Sequence, residues 1–198
     1  METFWDQRYA GEDYAYGTEA NAFFRLGIDA LPAGKILLPG EGEGRNAIYA
    51  AVKGWDVHAI DQSRNACIKA MKLAEAHGVS IHYHVADVFA HDAGKGLFDA
   101  AALIFFHLPS VARPAYHQRI AEALKPGGTL IIEAFHKKQL YHNSGGPKDE
   151  DLLYTGEILL GDLEGFDVIM LSEGEVMLDE GPHHQGIAHL VRYIGRKQ

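Results

Sequence analysis

Three glycines at alternate positions, Gly40-Glu41-Gly42-Glu43-Gly44, follow the apolar run Lys35-Ile36-Leu37-Leu38. A strand that enters a glycine loop and leaves it as a helix is a device for holding a nucleoside-bearing ligand. Glycine lets the chain turn tightly and lets backbone approach the ligand, while the helix start offers N–H donors. Asp61 stands 21 residues after Gly40, at the end of the next β-type run, where a carboxylate can grip ribose hydroxyls. Asp87 closes a third run in Val85-Ala86-Asp87-Val88, where a carboxylate can accept from an adenine amino group. Dinucleotide enzymes space their glycines G-x-G-x-x-G. Here the place of the third glycine is Arg45 and the spacing is G-x-G-x-G.

The elements that must position these groups alternate between short apolar runs and helical patterns. Residues 35–38 read as a buried strand. Arg45 to Lys53 reads as a helix stopped by Gly54, residues 56–60 as a second strand, and Ser63 as the cap of a helix with Ala66, Ala70, Leu73 and His77 on one face. Ile81 to Val85 and Phe98 to Phe106 continue the strand series. Pro114 suits the first turn of a helix bearing His117, Ile120, Ala121 and Leu124, and Pro126-Gly127-Gly128 turns the chain into a fifth strand over 129–133. This rhythm predicts an α/β, Rossmann-like three-layer sandwich. Toward the end it changes: residues 166–171, extended through 175–178, and residues 187–194 read as strands with turn chemistry at Asp179-Glu180-Gly181-Pro182 and no helix between. A mostly parallel seven-stranded sheet that ends in an antiparallel pair is expected. Thr18 to Leu31 reads as a helix, preceded by the aromatics Phe4, Trp5, Tyr9, Tyr14 and Tyr16.

At 198 residues the chain suits one domain, 1–198, with residues 1–31 as an N-terminal lid hinged near Gly11 and Gly17. A formal net charge of −9 argues against nucleic acid, whose binding needs clustered Lys and Arg, and favours a small-molecule partner. No apolar run spans a bilayer, the start lacks a signal-peptide layout and the single Cys67 forms no internal disulfide, so a cytoplasmic protein without membrane contact is expected. Twelve histidines invite a metal. Although His82 and His84 alternate on a strand and His183-His184 are adjacent, no cysteine pair or His-x-x-Glu-His arrangement is present, and no metal site is expected. The acidic stretch Asp149-Glu150-Asp151 reads as a solvated helix start.

The chain resembles the class I methyltransferases that use S-adenosylmethionine, in particular the small bacterial branch near the tellurite-resistance and thiopurine enzymes. The resemblance lies in Trp5-Asp6-Gln7-Arg8-Tyr9, Tyr14 to Glu19, Glu41 to Ala47, Ile104 to Pro109, Leu124 to Gly128 and Gly145-Gly146-Pro147-Lys148-Asp149. It implies that Gly40 and Gly42 lie against the methionine and ribose portions of S-adenosylmethionine. It further implies that Asp61 binds the ribose with Gln62 beside the adenine, that Asp87 faces the adenine amino group with Val88 near the ring, and that Phe105 sits close to the sulfonium. S-adenosylhomocysteine would be the product. Arg8 is a candidate partner of the methionine carboxylate, with Tyr16 beside it in the lid. The family's acid two positions before the first glycine is Leu38 here, which Glu41 or Glu43 could replace.

Methyl transfer from a sulfonium needs alignment and exclusion of water more than acid–base chemistry, so no catalytic signature is required. His107, after the fourth strand, is the candidate should a base be used. The expected function is transfer to a small-molecule acceptor by a monomer or weak homodimer. A non-catalytic S-adenosylmethionine-binding regulator is one alternative. An NAD(P)-dependent oxidoreductase is another, although the third dinucleotide glycine and a substrate domain are missing.

Overall fold

The computed structural model describes residues 4–198, which fall into two compact units, 4–92 with 180–183 and 93–179 with 184–198. In the first unit the elements are α1 (Phe4–Arg8), α2 (Ala22–Asp29), β1 (Lys35–Pro39), α3 (Arg45–Val52), β2 (Asp56–Asp61), α4 (Arg64–Ala76) and β3 (His82–Val85). Its three strands are parallel in the order β3-β2-β1, with Leu37 opposite His58 and His58 opposite His82. Ile36, Leu37 and Leu38 are buried, as the covering of both faces of a parallel strand demands. Each such side chain contributes on the order of 1.5–3 kcal/mol by leaving water. α4 starts where Ser63 Oγ accepts from the Ala66 N–H at 3.2 Å, and it buries Ala66, Ala70, Leu73 and Ala74. α2 is shorter than the expected 18–31 because Asn21 caps it, accepting from the Phe24 N–H at 2.8 Å.

The second unit holds β4 (Phe98–Ile104), α5 (Arg113–Ala123), β5 (Leu124–Phe135), α6 (Gly156–Asp162), β6 (Phe166–Asp179) and β7 (Gln185–Lys197), in the strand order β4-β5-β7-β6. β4 and β5 are parallel, whereas β7 runs antiparallel to both β5 and β6. The closing pair is longer than the sequence indicates, and Glu175 stands directly opposite His189 within it. β5 takes in the Lys-Pro-Gly-Gly turn, so Leu124 opens a strand instead of finishing α5. β4 stops two residues early because Phe105 adopts φ 52°, a left-handed conformation that ends extended pairing. Short 3₁₀ turns cover Lys137–Tyr141 and Glu150–Leu152. The second is capped by Asp149, which accepts from the Asp151 N–H at 3.0 Å, so the acidic stretch is a solvated turn. The fold is the expected one: α/β with seven strands, mostly parallel, ending in an antiparallel pair.

Candidate active site

The glycine loop of the first unit is tied to the end of β2. Gly40 N–H donates to Ile60 O at 2.7 Å, and Gly42 N–H donates to Asp61 Oδ2 at 3.0 Å. Asp61 Oδ1 accepts from the Ser63 N–H at 2.9 Å. The carboxylate is 7% exposed, and burial raises its pKa against these backbone donors. Each oxygen retains capacity to accept a hydroxyl. Two positions demand glycine. At Gly42 (φ 65°) an added Cβ would lie 2.9 Å from Tyr9 Oη, and at Gly44 (φ 93°) it would lie 2.7 Å from Ala70 Cβ. Tyr83 closes the underside by donating to Gly42 O at 2.6 Å.

Beside this loop, Leu38 is buried in β1 and carries no charge. Glu41 Oε1 accepts from the Ala47 N–H at 2.7 Å in the first turn of α3. Desolvation pushes its pKa up to about 8 against that hydrogen bond. Glu43 serves the N-terminal segment, accepting from the Ala15 N–H at 2.8 Å and pairing with Lys69 at 2.7 Å. Arg45 donates to Tyr16 O at 3.1 Å and pairs with Glu180 at 2.8 Å, while Asn46 Oδ1 accepts from the Asn21 N–H at 3.0 Å. The loop residues therefore strap the N-terminal segment onto themselves.

That segment is core as well as cover. Tyr9 and Ala15 are buried with Ala66 of α4, flanked by Trp5 and Tyr16. Tyr9 stacks on Trp5 at 5.7 Å, and burial, reinforced by the Asp61 charge, raises its hydroxyl pKa. Asp6 Oδ1 accepts from Ser63 Oγ at 2.7 Å and from the Arg64 N–H at 3.0 Å, which fastens the segment to the start of α4. Met1 to Thr3 of the expected lid lie outside the described residues. Residues 180–183, expected only as a hairpin turn, join this unit: Glu180 accepts from Asn21 Nδ2 at 2.9 Å and His183 packs on Tyr16 at 5.8 Å.

The site residues expected from sequence separate into four groups, three of them in the first unit. Gly40, Glu41, Gly42 and Asp61 come together as one loop-and-strand-end constellation. Gln62 is exposed just beyond it, and Asp87 and Val88 follow β3, with Asp87 Oδ1 accepting from the Phe89 N–H at 2.8 Å. Arg8 and Tyr16 lie in the N-terminal segment, where Arg8 sits 5.1 Å over the Phe4 ring and its charge partly offsets the rise that burial imposes on the Tyr16 hydroxyl. The constellation fits a nucleoside with a vicinal diol. Asp61 is a buried carboxylate with hydroxyl-accepting capacity beside a loop that tolerates no side chain at position 42. Tyr9, expected only as a lid aromatic, and Tyr83, which nothing in the sequence marked, complete it.

Phe105 belongs to the second unit. Its N–H donates to Glu133 O at 2.7 Å, and its ring packs on Phe135 at 4.8 Å and edge-on to His184 at 4.5 Å. A non-glycine residue in left-handed conformation is held only by such surroundings. His107 lies against the same Phe135 ring at 5.7 Å. Its Nδ1 donates to Leu152 O at 2.7 Å and its Nε2 accepts from the Phe135 N–H at 3.5 Å. Burial pushes its pKa down to about 4, so the imidazole is neutral with both nitrogens engaged. Tyr154, fully buried, accepts from the Leu108 N–H at 2.8 Å and fixes the turn after β4.

A profile described as a methyltransferase domain matches residues 36–128. The "Probable thiol methyltransferase 2" of Arabidopsis thaliana is 30% identical over 169 residues, 83% of this chain and 71% of that protein. The "tRNA 5-carboxymethoxyuridine methyltransferase" of Escherichia coli K12 is 34% identical over 113 residues, 55% of this chain, and the match spans only 43% of that protein's length. Among solved structures, TehB from Haemophilus influenzae aligns with a TM-score of 0.75 at 17% identity, covering all of this chain and 67% of that one, a likeness of fold. With an incomplete dinucleotide fingerprint, an acid at the end of β2 and a reversed final strand, the chain belongs to the class I methyltransferases that use S-adenosylmethionine.

Proposed function

We propose that the chain transfers the methyl group to a small, soft nucleophile of the thiol class, without a histidine base. The carrying observation is His107: a neutral imidazole with both nitrogens hydrogen-bonded, within a cluster of the rings of Phe105, Phe135 and Tyr154. S-adenosylmethionine, when bound, supplies an electrophilic methyl on a sulfonium. In this reading Asp61 accepts from the ribose, Gly40 and Gly42 let backbone meet the methionine and ribose portions, and Glu41, largely protonated at neutral pH with its pKa near 8, offers a hydrogen-bonding carboxyl beside the loop. Asp87, Val88 and Gln62 hold the adenine, Phe105 excludes water at the reacting end, and Arg8 with Tyr16 forms part of the lid over 1–31. We take the 198 residues to act as one domain, in a monomer or weak homodimer. A nucleophile that is already ionised or highly polarisable needs alignment and a dry approach, which rings supply. The name of the Arabidopsis relative supports a thiol acceptor. The net charge of −9 opposes a polyanionic one, although the E. coli relative is named for a tRNA.

The test measures S-adenosylhomocysteine release with small thiols, oxyanions, hydroxylated aromatics and unmodified tRNA transcripts. Thiols are expected to give the highest kcat/KM. Turnover with tRNA and none with thiols would overturn the reading, and binding without turnover on any acceptor would favour a regulatory role.

A further inference from the structure

In the second unit, His142, Glu175 and His189 come from three places in the chain, and one donor atom of each lies within 4.8 Å of the others. Strand register creates half of this arrangement, since Glu175 on β6 stands directly opposite His189 on β7. The other half comes from the loop after Lys137–Tyr141, which brings His142 Nε2 to 3.6 Å from Glu175 Oε1.

That loop is built onto β7 by a buried clamp. Gln139, 1% exposed, accepts the His189 N–H at 2.8 Å through Oε1 and donates through Nε2 to Ser144 Oγ at 2.9 Å and Gly145 O at 3.1 Å. Ser144 Oγ in turn donates to Ile187 O at 2.7 Å. One glutamine therefore fixes both histidine-bearing segments. Among the described residues, no hydrogen bond engages either ring nitrogen of His189.

We propose that His142, Glu175 and His189 form a binding site for a borderline divalent ion of the zinc class, with water completing the coordination. Two imidazoles and one carboxylate are the donor set such ions favour over magnesium or calcium. Bonds of about 2.0–2.2 Å draw donors to roughly 3.3 Å from one another, so the three must close inward. Glu175, with its side chain 61% exposed, and the loop-borne His142 have room to do so. The ion would clip loop 142–149 to the β6–β7 hairpin. That loop carries Gly146, where an added Cβ would meet the Phe135 ring at 2.8 Å, so the clip would firm the ring cluster around Phe105. A second group, Asp56, His58 and His82, has comparable spacing but already holds a cation, Lys35, at 3.3 Å from Asp56 Oδ2.

The experiment titrates zinc(II) into tag-free, chelator-stripped full-length chain by calorimetry and records the visible absorption of cobalt(II) as a replacement probe. One equivalent is expected to bind, with cobalt bands of low coordination number. Glu175→Gln, His142→Gln and His189→Gln should each weaken binding at least about tenfold, the lower end of what even an orienting partner contributes. The double variant His58→Gln/His82→Gln should bind as wild type. No binding by wild type, unchanged affinity in the three single variants, or loss confined to the double variant would each overturn the assignment. Circular dichroism checks each variant's fold, and the exposed Glu175→Gln keeps the test decisive if a histidine variant misfolds.

Discussion

Asp61→Asn removes one charge and one acceptor while preserving shape. In the structure Oδ2 accepts from Gly42 N–H at 3.0 Å and Oδ1 from Ser63 N–H at 2.9 Å. An amide satisfies one of these donors and turns its own NH₂ toward the other. A ribose hydroxyl that donates to the carboxylate would likewise meet a donor or a weaker, uncharged acceptor. Hydrogen bonds to a charged partner contribute about 1.5–3 kcal/mol and neutral ones about 0.5–1.5 kcal/mol. The loss in binding should then be about 1–3 kcal/mol, a dissociation constant for S-adenosylmethionine raised about fivefold to 150-fold. Calorimetric titration with S-adenosylmethionine and S-adenosylhomocysteine measures it, with thermal unfolding of the same sample to establish that the variant is folded. Both ligands share the ribose, so both should weaken equally. A folded Asp61→Asn chain that binds as wild type refutes the assignment of Asp61 to the ribose.

Gly44→Ala places a methyl 2.7 Å from Ala70 Cβ at φ 93°, so strain and overpacking together should cost about 2–4 kcal/mol in guanidinium unfolding. Ala70→Gly in the same chain should recover part of it, and a wild-type midpoint for Gly44→Ala would show that α3 and α4 do not approach this closely. His107 has its folded pKa near 4, below the ordinary 6.5, so its contribution to stability is complete above pH 6.5 and falls as pH drops toward 4. The loss is on the order of 3 kcal/mol. His107→Gln should flatten that window without moving the pH–rate profile above pH 6, and a limb near 6.5 that disappears in the variant would mark His107 as a base after all.

β1 and β2 were legible because β1 is a buried apolar run that ends just before a glycine and β2 ends at an acid. Asp61 could be found by counting from Gly40, since a strand, a loop and a helix fix the interval. Boundaries failed where a single residue overrides its neighbours, as Phe105 does by turning left-handed at the end of an apolar stretch. Partners distant in sequence were beyond reach. Nothing local pairs Glu43 with Ala15, or Glu175 with His189, because those meetings depend on strand register and on where a loop returns. Leu38 shows the same limit from the other side: the missing acid was visible, but the hydrogen bond from the Ala47 N–H to Glu41 is one that only folding creates.

The straps from Glu43, Arg45 and Asn46 to residues 15–21 have a thermodynamic corollary. Because residues 15–21 are fastened to the glycine loop itself, the order of one is linked to the order of the other. Linkage is reciprocal: whatever factor by which a bound ligand favours the docked segment, the docked segment favours the ligand by the same factor.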